Sequence, residues 1–267
     1  MEADGVWVYA VAEGAVTAAL GQLSGVGGGP VRSVEGAGLT ALAGDVPLAE
    51  FGEQALRRNF EDLAWLEATA RAHHRVIDAV TRQGPAVPMR LATVYSSDAS
   101  VAAMLAERSA DFRAALDHIR GRSEWGVKAY AAGRPEPVAA TPDTGKPAHR
   151  GAGAGAAYLQ RRRDQLTAQK NASRQMMATA EAVHAELSRY AAGARLHPPQ
   201  APELTGSKDR MILNAAYLLD DGREQDFAAL VTALGKRYRD VRLELTGPWP
   251  PYSFAGGADR EDVSERA

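Results

Sequence analysis

The chain has 267 residues, of which 45% are hydrophobic and 24% are charged, and its formal net charge is −2. This length allows one large or two modest domains with cores that need no disulfide or structural metal. The near-neutral charge argues against a surface built mainly for nucleic acid, and the lack of cysteine excludes thiol nucleophiles and cysteine-ligated metals. With no leader-like start and no bilayer-length apolar run, we expect a cytoplasmic protein.

The N-terminal third predicts a small sheet followed by a long helix. The predicted strands are residues 5–12, 31–35 and 39–43. Glycines between the last two indicate a hairpin. After Pro47, apolar residues recur at three- and four-residue steps until Gly84 and Pro85, which is typical of one face of a helix. These elements define a predicted N-terminal α+β domain over residues 1–86.

The remainder, residues 87–254, predicts a second domain in which two βαβ units surround a long helix. The predicted elements are a strand over 89–97, a helix over 99–120, a strand over 125–131, a helix over 158–192, a strand over 210–220, a helix over 224–239 and a strand over 241–245. Two such βαβ units side by side make a ferredoxin-like sandwich. The fold class is therefore α+β with two domains, the second carrying a helical arm over about 156–192.

Two segments have compositions typical of irregular chain. Residues 132–155 are rich in proline, glycine and alanine, which predicts a linker before the arm. Residues 255–267 are small and charged, which predicts a disordered tail.

The residues that could carry chemistry are better explained by structure. Gly151–Ala156 matches a dinucleotide-binding glycine pattern, but a proline-rich linker rather than a strand precedes it. Glu181 and His184 form half of a di-iron motif without a second copy. His73 and His74, with Asp78 one turn further on, are interpreted as structural, and the apolar face of this helix includes His74. Ser97 has the position of a helix cap. We therefore expect no catalytic residues, no metal and no cofactor.

The long helix changes character along its length. Apolar or small residues repeat every seven positions, beginning with Leu159 and Leu166. A helix that docks along one seam has a second apolar residue in each heptad, and here that position is polar at Arg162 and becomes apolar only toward the C-terminus. The pattern favours a helix docked at its C-terminal end, either packing wholly on its own sheet or offering a face to another chain. In the second case Tyr158, Leu159, Arg162 and Leu166 contact the partner, and the basic triplet 161–163 favours an acidic one.

The segment Leu245–Phe254 holds three prolines and three aromatic residues. It is interpreted either as a strap over one end of a core or as a partner site, with Trp249, Tyr252 and Phe254 as contacts. As a strap, it predicts a cost of about 3–5 kcal/mol for Trp249→Ala.

The same segment carries a family resemblance. Its residues Thr246–Phe254, TGPWPPYSF, closely resemble the C-terminal signature of the gas vesicle protein L/F family (GvpL/GvpF). Further stretches resemble family segments in the same order, namely Val6–Val11, Trp65–Glu67, Arg71–His73, Val87–Tyr95, Glu124–Lys128 and Gly155–Arg163. The resemblance spans nearly the whole chain and does not separate L-type from F-type members.

The resemblance implies a non-enzymatic accessory or minor structural protein of the cytoplasm and the gas vesicle. Such proteins engage the small hydrophobic shell protein and other accessory proteins during assembly, with no nucleic-acid or membrane partner. The implied fold has two α+β domains, the second a modified ferredoxin-like domain with a helical extension. An adaptor masks an aggregation-prone apolar face with a helix or a strand edge, so we expect the arm and the edge of the second sheet to do so here.

Two other functions stay open on the sequence. A ferredoxin-like small-molecule-binding protein or enzyme would have a pocket between the sheet and the helical arm. An RNA-binding module would need paired aromatic residues on adjacent strands, whereas Tyr95 and Tyr130 are isolated in the sequence.

Overall fold

The structure is a computed structural model that describes residues 4–14, 23–131, 154–200 and 209–255. The predicted linker up to residue 153 and the predicted tail beyond residue 255 lie outside these ranges. The strands are β1 Asp4–Glu13, β2 Arg32–Gly36, β3 Leu39–Pro47, β4 Ala86–Pro88, β5 Val94–Tyr95, β6 Arg122–Ala131, β7 Gly193–Leu196, β8 Met211–Asp220 and β9 Val241–Trp249. The α-helices are α1 Leu48–Phe51, α2 Glu53–Asn59, α3 Leu63–Thr81, α4 Asp98–Glu107, α5 Ser109–Ile119, α6 Ala154–Tyr190 and α7 Glu224–Arg237.

The first sheet is antiparallel and is built around β1. Its strand order is β2-β3-β1-β4, and β5 also pairs with β1. The register between β1 and β3 shifts between Val8 and Ala10, which marks a bulge. The predicted hairpin is confirmed as β2–β3, and its turn residues Ala37 and Gly38 have φ values of 53° and 72°, as type I′ turns require.

Strand β1 is buried on both faces. Trp7 and Tyr9 join a core cluster with residues of α3. Val6, Val8 and Val11 are buried as well, and α5 contacts β1 and β4 while α4 contacts β2 and β3. Because successive side chains of a strand point to opposite faces, α3 covers one face of the sheet and α4 with α5 the other. This burial explains why β1 is hydrophobic throughout rather than at alternate positions.

The bulge places Tyr9 against the loop that follows the undescribed residues 15–22. The amide of Val26 donates a hydrogen bond of 2.8 Å to the Tyr9 hydroxyl, and burial raises the pKa of Tyr9 to about 12. A Cβ atom on Gly25 would lie 2.2 Å from that hydroxyl oxygen. Glycine is therefore required at position 25 for the loop to approach the ring.

The core of this sheet contains a buried histidine with both ring nitrogens in use. The Trp7 indole Nε1–H donates to His73 Nδ1 at 2.9 Å, and His73 Nε2 lies 3.0 Å from the carbonyl oxygen of Met89. Since Nδ1 accepts, the hydrogen-bond network assigns the proton to Nε2, which donates to Met89. Burial lowers the pKa of His73 to about 4, so the ring is neutral at pH 7. The apolar spacing in the sequence places His74 on the apolar face of this helix, whereas the structure buries His73 instead and leaves His74 partly exposed.

Both long helices predicted in this region are divided. The segment that follows Pro47 forms three helices, α1, α2 and α3. Gly52 separates the first two, and α3 begins after Asp62. The Asp62 carboxylate accepts hydrogen bonds from the amides of Ala64 and Trp65, which caps α3. The helix predicted over 99–120 is likewise two helices, α4 and α5. Apolar spacing continues across such breaks and cannot reveal them.

The continuous strand predicted over 89–97 is wrong. Strands β4 and β5 pair with β1 at separate places, and the chain between them turns through Ala92, whose φ is 65°. Both strands belong to the first sheet, so the first strand of the predicted βαβ–helix–βαβ arrangement lies there rather than in the second sheet.

The second sheet has the order β7-β8-β6-β9. Strand β7 was not predicted, and β9 continues to Trp249 instead of stopping at Gly247. Pro248 is compatible with a strand here because β9 is an outer strand, where a missing N–H leaves no partner unsatisfied. The predicted α+β class is confirmed, with two antiparallel sheets.

The described chain forms two compact units by spatial contact. The first comprises the chain up to Glu124, Leu218–Asp221 and the residues from Gly247 onward, and the second comprises Trp125–Tyr217 and Gly222–Thr246. The predicted boundary at residue 86 concerns which segments fold independently, and it stays a prediction.

His73 makes the stability of the first unit dependent on pH. Its pKa is lower in the folded chain, about 4, than the usual 6.5, so the unfolded chain takes up the proton first as the pH falls. We expect the free energy of unfolding to fall by about 3 kcal/mol between pH 6.5 and pH 4 from this group alone. Urea unfolding measured across that range checks the slope.

The matched variants are His73→Gln and His74→Gln. The first is expected to be less stable at pH 7 but to lose most of the slope, whereas the second leaves the hydrogen bonds of His73 in place and keeps the slope. An unchanged slope in His73→Gln would contradict the assignment.

Candidate partner-binding surfaces

Among the side chains of α6 that the structure describes, the buried ones lie in its C-terminal half. Ala180, Val183 and Leu187 are buried at three- and four-residue steps, and this half packs beside α7. The Tyr190 ring lies 5.9 Å from the ring of Phe227. The apolar face that the sequence predicts for the C-terminal half is therefore the face that packs.

Polar contacts reinforce the same half of the helix. His184 Nδ1 and the Tyr217 hydroxyl are 2.8 Å apart, and burial lowers the pKa of His184. Arg237 of α7 donates to Glu186 at 2.9 Å, and the Arg223 guanidinium lies 3.9 Å from the centre of the Tyr190 ring.

The N-terminal part, residues 158–172, is called the free half below. Every side chain that the structure describes in it is exposed. Tyr158 and Leu159 are each 64% exposed and Leu166 is 43% exposed, and Arg162 is exposed beside them. The structure thus places these four predicted contact residues together on one helix segment. Their contact with a partner stays a prediction.

The C-terminal ribbon, Trp249–Phe254, is anchored in the first unit by its inner side. Phe254 is only 5% exposed and lies 6.3 Å from the His118 ring. The Ser253 amide and hydroxyl donate to the buried Glu124 carboxylate at 2.8 Å and 2.6 Å. These contacts make the ribbon a strap over the core of this unit.

The outer side of the ribbon is accessible. Trp249 is 46% exposed and Tyr252 is 37% exposed. Their rings lie 6.0 Å and 6.4 Å from the ring of His74, and Tyr252 is stacked on it. Burial of its hydroxyl, with the nearby Glu124 charge, raises the pKa of Tyr252. Trp249 and Tyr252 thus offer an aromatic surface, whereas Phe254 points inward and is not accessible.

Two residues of this region were missed by the sequence analysis, His74 and Glu124. Glu124 follows Arg122 and Ser123 at the start of β6, so its local sequence does not indicate burial, and its hydrogen-bond donors come from the distant Ser253. For His74 the apolar spacing pointed to the interior, and its ring neighbours could not be predicted because they are more than 170 positions away in the chain.

Other site types find little support in the described residues. Within them no three histidine, aspartate or glutamate side chains are grouped as metal ligands, and no helix there has both the length and the apolarity to cross a membrane. Tyr95 and Tyr130 lie in different sheets, and the Arg242 guanidinium covers the Tyr130 ring at 4.4 Å. They cannot form the paired aromatic platform of an RNA-binding sheet.

The structure predicts unequal costs for two of the three aromatic residues of the ribbon. Phe254→Ala removes a buried ring and is expected to lower the free energy of unfolding by about 3–5 kcal/mol. Trp249→Ala removes a half-exposed ring and is expected to cost less than about 2 kcal/mol, below the value expected from the sequence. Chemical denaturation of both variants measures the difference, and equal costs would contradict the assignment of Phe254 as the anchor.

Helix α6 predicts a similar contrast along its length. Leu187→Ala leaves a cavity and is expected to cost about 2–5 kcal/mol, whereas Leu159→Ala is expected to change the free energy of unfolding by no more than about 0.5 kcal/mol. Thermal and urea unfolding of the two variants compare the same substitution at both ends. A large loss in Leu159→Ala would show that the free half packs after all.

The chain matches known proteins over nearly its full length. Residues 5–256 match the family model described as gas vesicle synthesis protein GvpL/GvpF. Identity to gas vesicle protein L of Streptomyces sp. (strain CB03234) is 43% over 242 residues, which cover 90% of this chain and 88% of that protein. Identity to gas vesicle protein F of the same organism is 26% over 259 residues, which cover 93% and 98%.

The fold agrees with solved structures as well. The crystal structure of the gas vesicle protein GvpF from Anabaena sp. PCC7120 superposes with a TM-score of 0.67 at 20% identity, covering 94% of this chain and 96% of that one. GvpF from Microcystis aeruginosa gives a TM-score of 0.64 at 19% identity, covering 94% and 98%. On the strength of the family match and the similarity to gas vesicle protein L, the chain belongs to the GvpL/GvpF family of gas vesicle proteins.

Proposed function

We propose that the protein is an accessory or minor structural component that engages the hydrophobic shell protein and other accessory proteins during gas vesicle assembly in the cytoplasm. The observation that carries the proposal is the exposed half of α6 in a chain of the GvpL/GvpF family. The role is one of binding rather than catalysis. An unassembled shell subunit with an apolar face needs a partner that covers this face until it polymerises.

The free half of α6 suits such a role better than the strand edges do. The outer strands of the second sheet, among the described residues, are β7 and β9. On strand β9, the ion pair of Arg242 and Glu244 and the residue Pro248 disfavour pairing with an added strand. Strand β7 is only Gly193–Leu196. We therefore assign the main contact to the helix, and a secondary one to Trp249 and Tyr252 of the ribbon.

The identities favour an L-type role. The chain is more similar to gas vesicle protein L than to gas vesicle protein F of the same organism, at 43% against 26% identity. We propose that it acts at the step served by gas vesicle protein L.

The alternative, a small-molecule site between the second sheet and the helical arm, is weaker. An apolar pocket of about 360 Å³ lies in the first unit instead, lined by Leu48, Phe51, Leu56 and Val94 among others. A thermal-shift screen of metabolites with the full chain tests this alternative. A ligand that raises the unfolding midpoint and depends on α6 would favour it.

Co-expression with the gas vesicle shell protein tests the proposed function. We expect the tagged full chain to retain the shell protein in the soluble fraction, and a variant lacking residues 154–172 to lose most of it. This excision spares Val183 and Leu187, which belong to the packed half. Co-purified protein is quantified by mass spectrometry, with the accessory gas vesicle proteins expressed in a parallel arm.

The comparison variant is Trp249→Ala with Tyr252→Ala, which changes the ribbon surface and leaves α6 intact. We expect it to reduce capture less than the excision does. If the full chain captures neither the shell protein nor any accessory protein, the proposed function is wrong.

A further inference from the structure

Three exposed aliphatic side chains of α6 form a line along the helix. They are Leu159, Leu166 and Met177, called the apolar stripe below. Leu166 follows Leu159 by seven residues and Met177 follows Leu166 by eleven. These spacings are about two and three helical turns, so the three side chains share one face.

Basic residues flank the apolar stripe on both sides. Each of four exposed basic residues is three or four positions from a member of the stripe, and side chains at that spacing are neighbours on a helix surface. They are Arg162, Arg163, Lys170 and Arg174. Asp164 is two positions from Leu166 and five from Leu159, which places it on a different face.

The charge of this segment contrasts with that of the rest of the chain. Residues 158–178 contain five basic residues and one acidic residue, a formal charge of +4, in a chain whose net charge is −2. The remaining residues therefore carry −6. A local cationic surface on an acidic protein selects partners by charge.

We propose that the apolar stripe and its basic flanks bind an acidic amphipathic helix of another gas vesicle protein. Aliphatic side chains of the partner lie along Leu159, Leu166 and Met177, and its carboxylates face the four basic residues. A narrow apolar line with one apolar residue per heptad, next to charged side chains, resembles one of the two rows of a coiled-coil seam, and charges beside such a row choose the partner. The inference rests on the proposed function, whose partner it specifies.

Other occupants match this surface less well. A second copy of the chain would bring basic flank against basic flank. Helices that lie on membranes have a broad apolar face with aromatic residues, whereas this stripe has one aliphatic side chain every two or three turns. Single-stranded nucleic acid needs aromatic side chains for base stacking, and Tyr158 is the one aromatic residue described in the free half.

Binding of designed peptides to the full chain tests the inference. The probe is a labelled peptide of four heptads with leucine at the core positions and glutamate at the flanking positions, and the comparison peptide has lysine in place of glutamate. Fluorescence anisotropy is expected to show binding of the acidic peptide that weakens with added salt, and no binding of the basic one. In the triple variant R162Q/R163Q/K170Q the Kd for the acidic peptide is expected to rise about tenfold.

The matched control removes the same amount of charge on another face. Ala168, Asn171 and Gln175 are exposed and lie two or five positions from the nearest member of the stripe. The variant A168E/N171E/Q175E lowers the net charge by three, as the first variant does, and is expected to change the Kd less than twofold. An equal rise of the Kd in both variants would show that binding depends on overall charge rather than on this face of the helix, and it would overturn the inference.

Two further outcomes would overturn it as well. One is equal binding of both peptides, and the other is binding to phosphatidylglycerol vesicles with no binding of the acidic peptide. The co-expression experiment separates this inference from the proposed function. Capture of gas vesicle proteins that is unaffected by R162Q/R163Q/K170Q would leave the proposed function standing while removing this one.

Discussion

The buried contact of Trp7, His73 and Met89 is the constraint on which the first unit depends. It joins β1, α3 and the turn after β4 through one imidazole ring whose two nitrogens are both used. A buried histidine with either nitrogen unpaired would be costly, so the three elements cannot shift independently. The amide of Met89 also donates to the Tyr9 carbonyl at 2.8 Å, which fixes the same turn to the bulge in β1.

The next residue of α3 extends this constraint to the surface. Because His73 is fixed inward, His74 is held at the outer side of the helix, where it lies against Trp249 and Tyr252. The ribbon is thus positioned by two independent contacts, the aromatic one at His74 and the Glu124 carboxylate that accepts from Ser253. The exposed aromatic surface consequently sits on a rigid base.

Helix α6 differs from the ribbon because the helix continues well beyond the part of it that is packed. An isolated helix as short as the free half would be marginal in water, because its first turn is costly to form. Here the packed turns around Val183 and Leu187 supply that first turn, and each added residue then gains a backbone hydrogen bond. A helix face with few partners of its own can therefore be presented at low cost in stability.

Local patterns predicted where most helices and strands lie, but neither the breaks within them nor their partners. The hydrophobic run of β1, the β2–β3 hairpin and the half-packed state of α6 follow from composition and periodicity within one segment. The assignment of residues 89–97 failed because which sheet a strand joins depends on distant pairing, here with β1. The strap was predicted, but its anchor was not, since the burial of Phe254 rather than Trp249 depends on Glu124 and His118, both more than 120 positions earlier.

The first unit combines the chain up to Glu124 with Leu218–Asp221 and the residues from Gly247 onward, so that the whole second unit lies between its first and last parts in the sequence. During synthesis its sheet and helices leave the ribosome early, but Ser253 and Phe254, which close one end of its core, follow 129 or more residues after Glu124. The second unit is thus complete before the first one is closed. A nascent chain truncated before the ribbon would expose the apolar surface beneath Phe254, and this surface is where a chaperone would act.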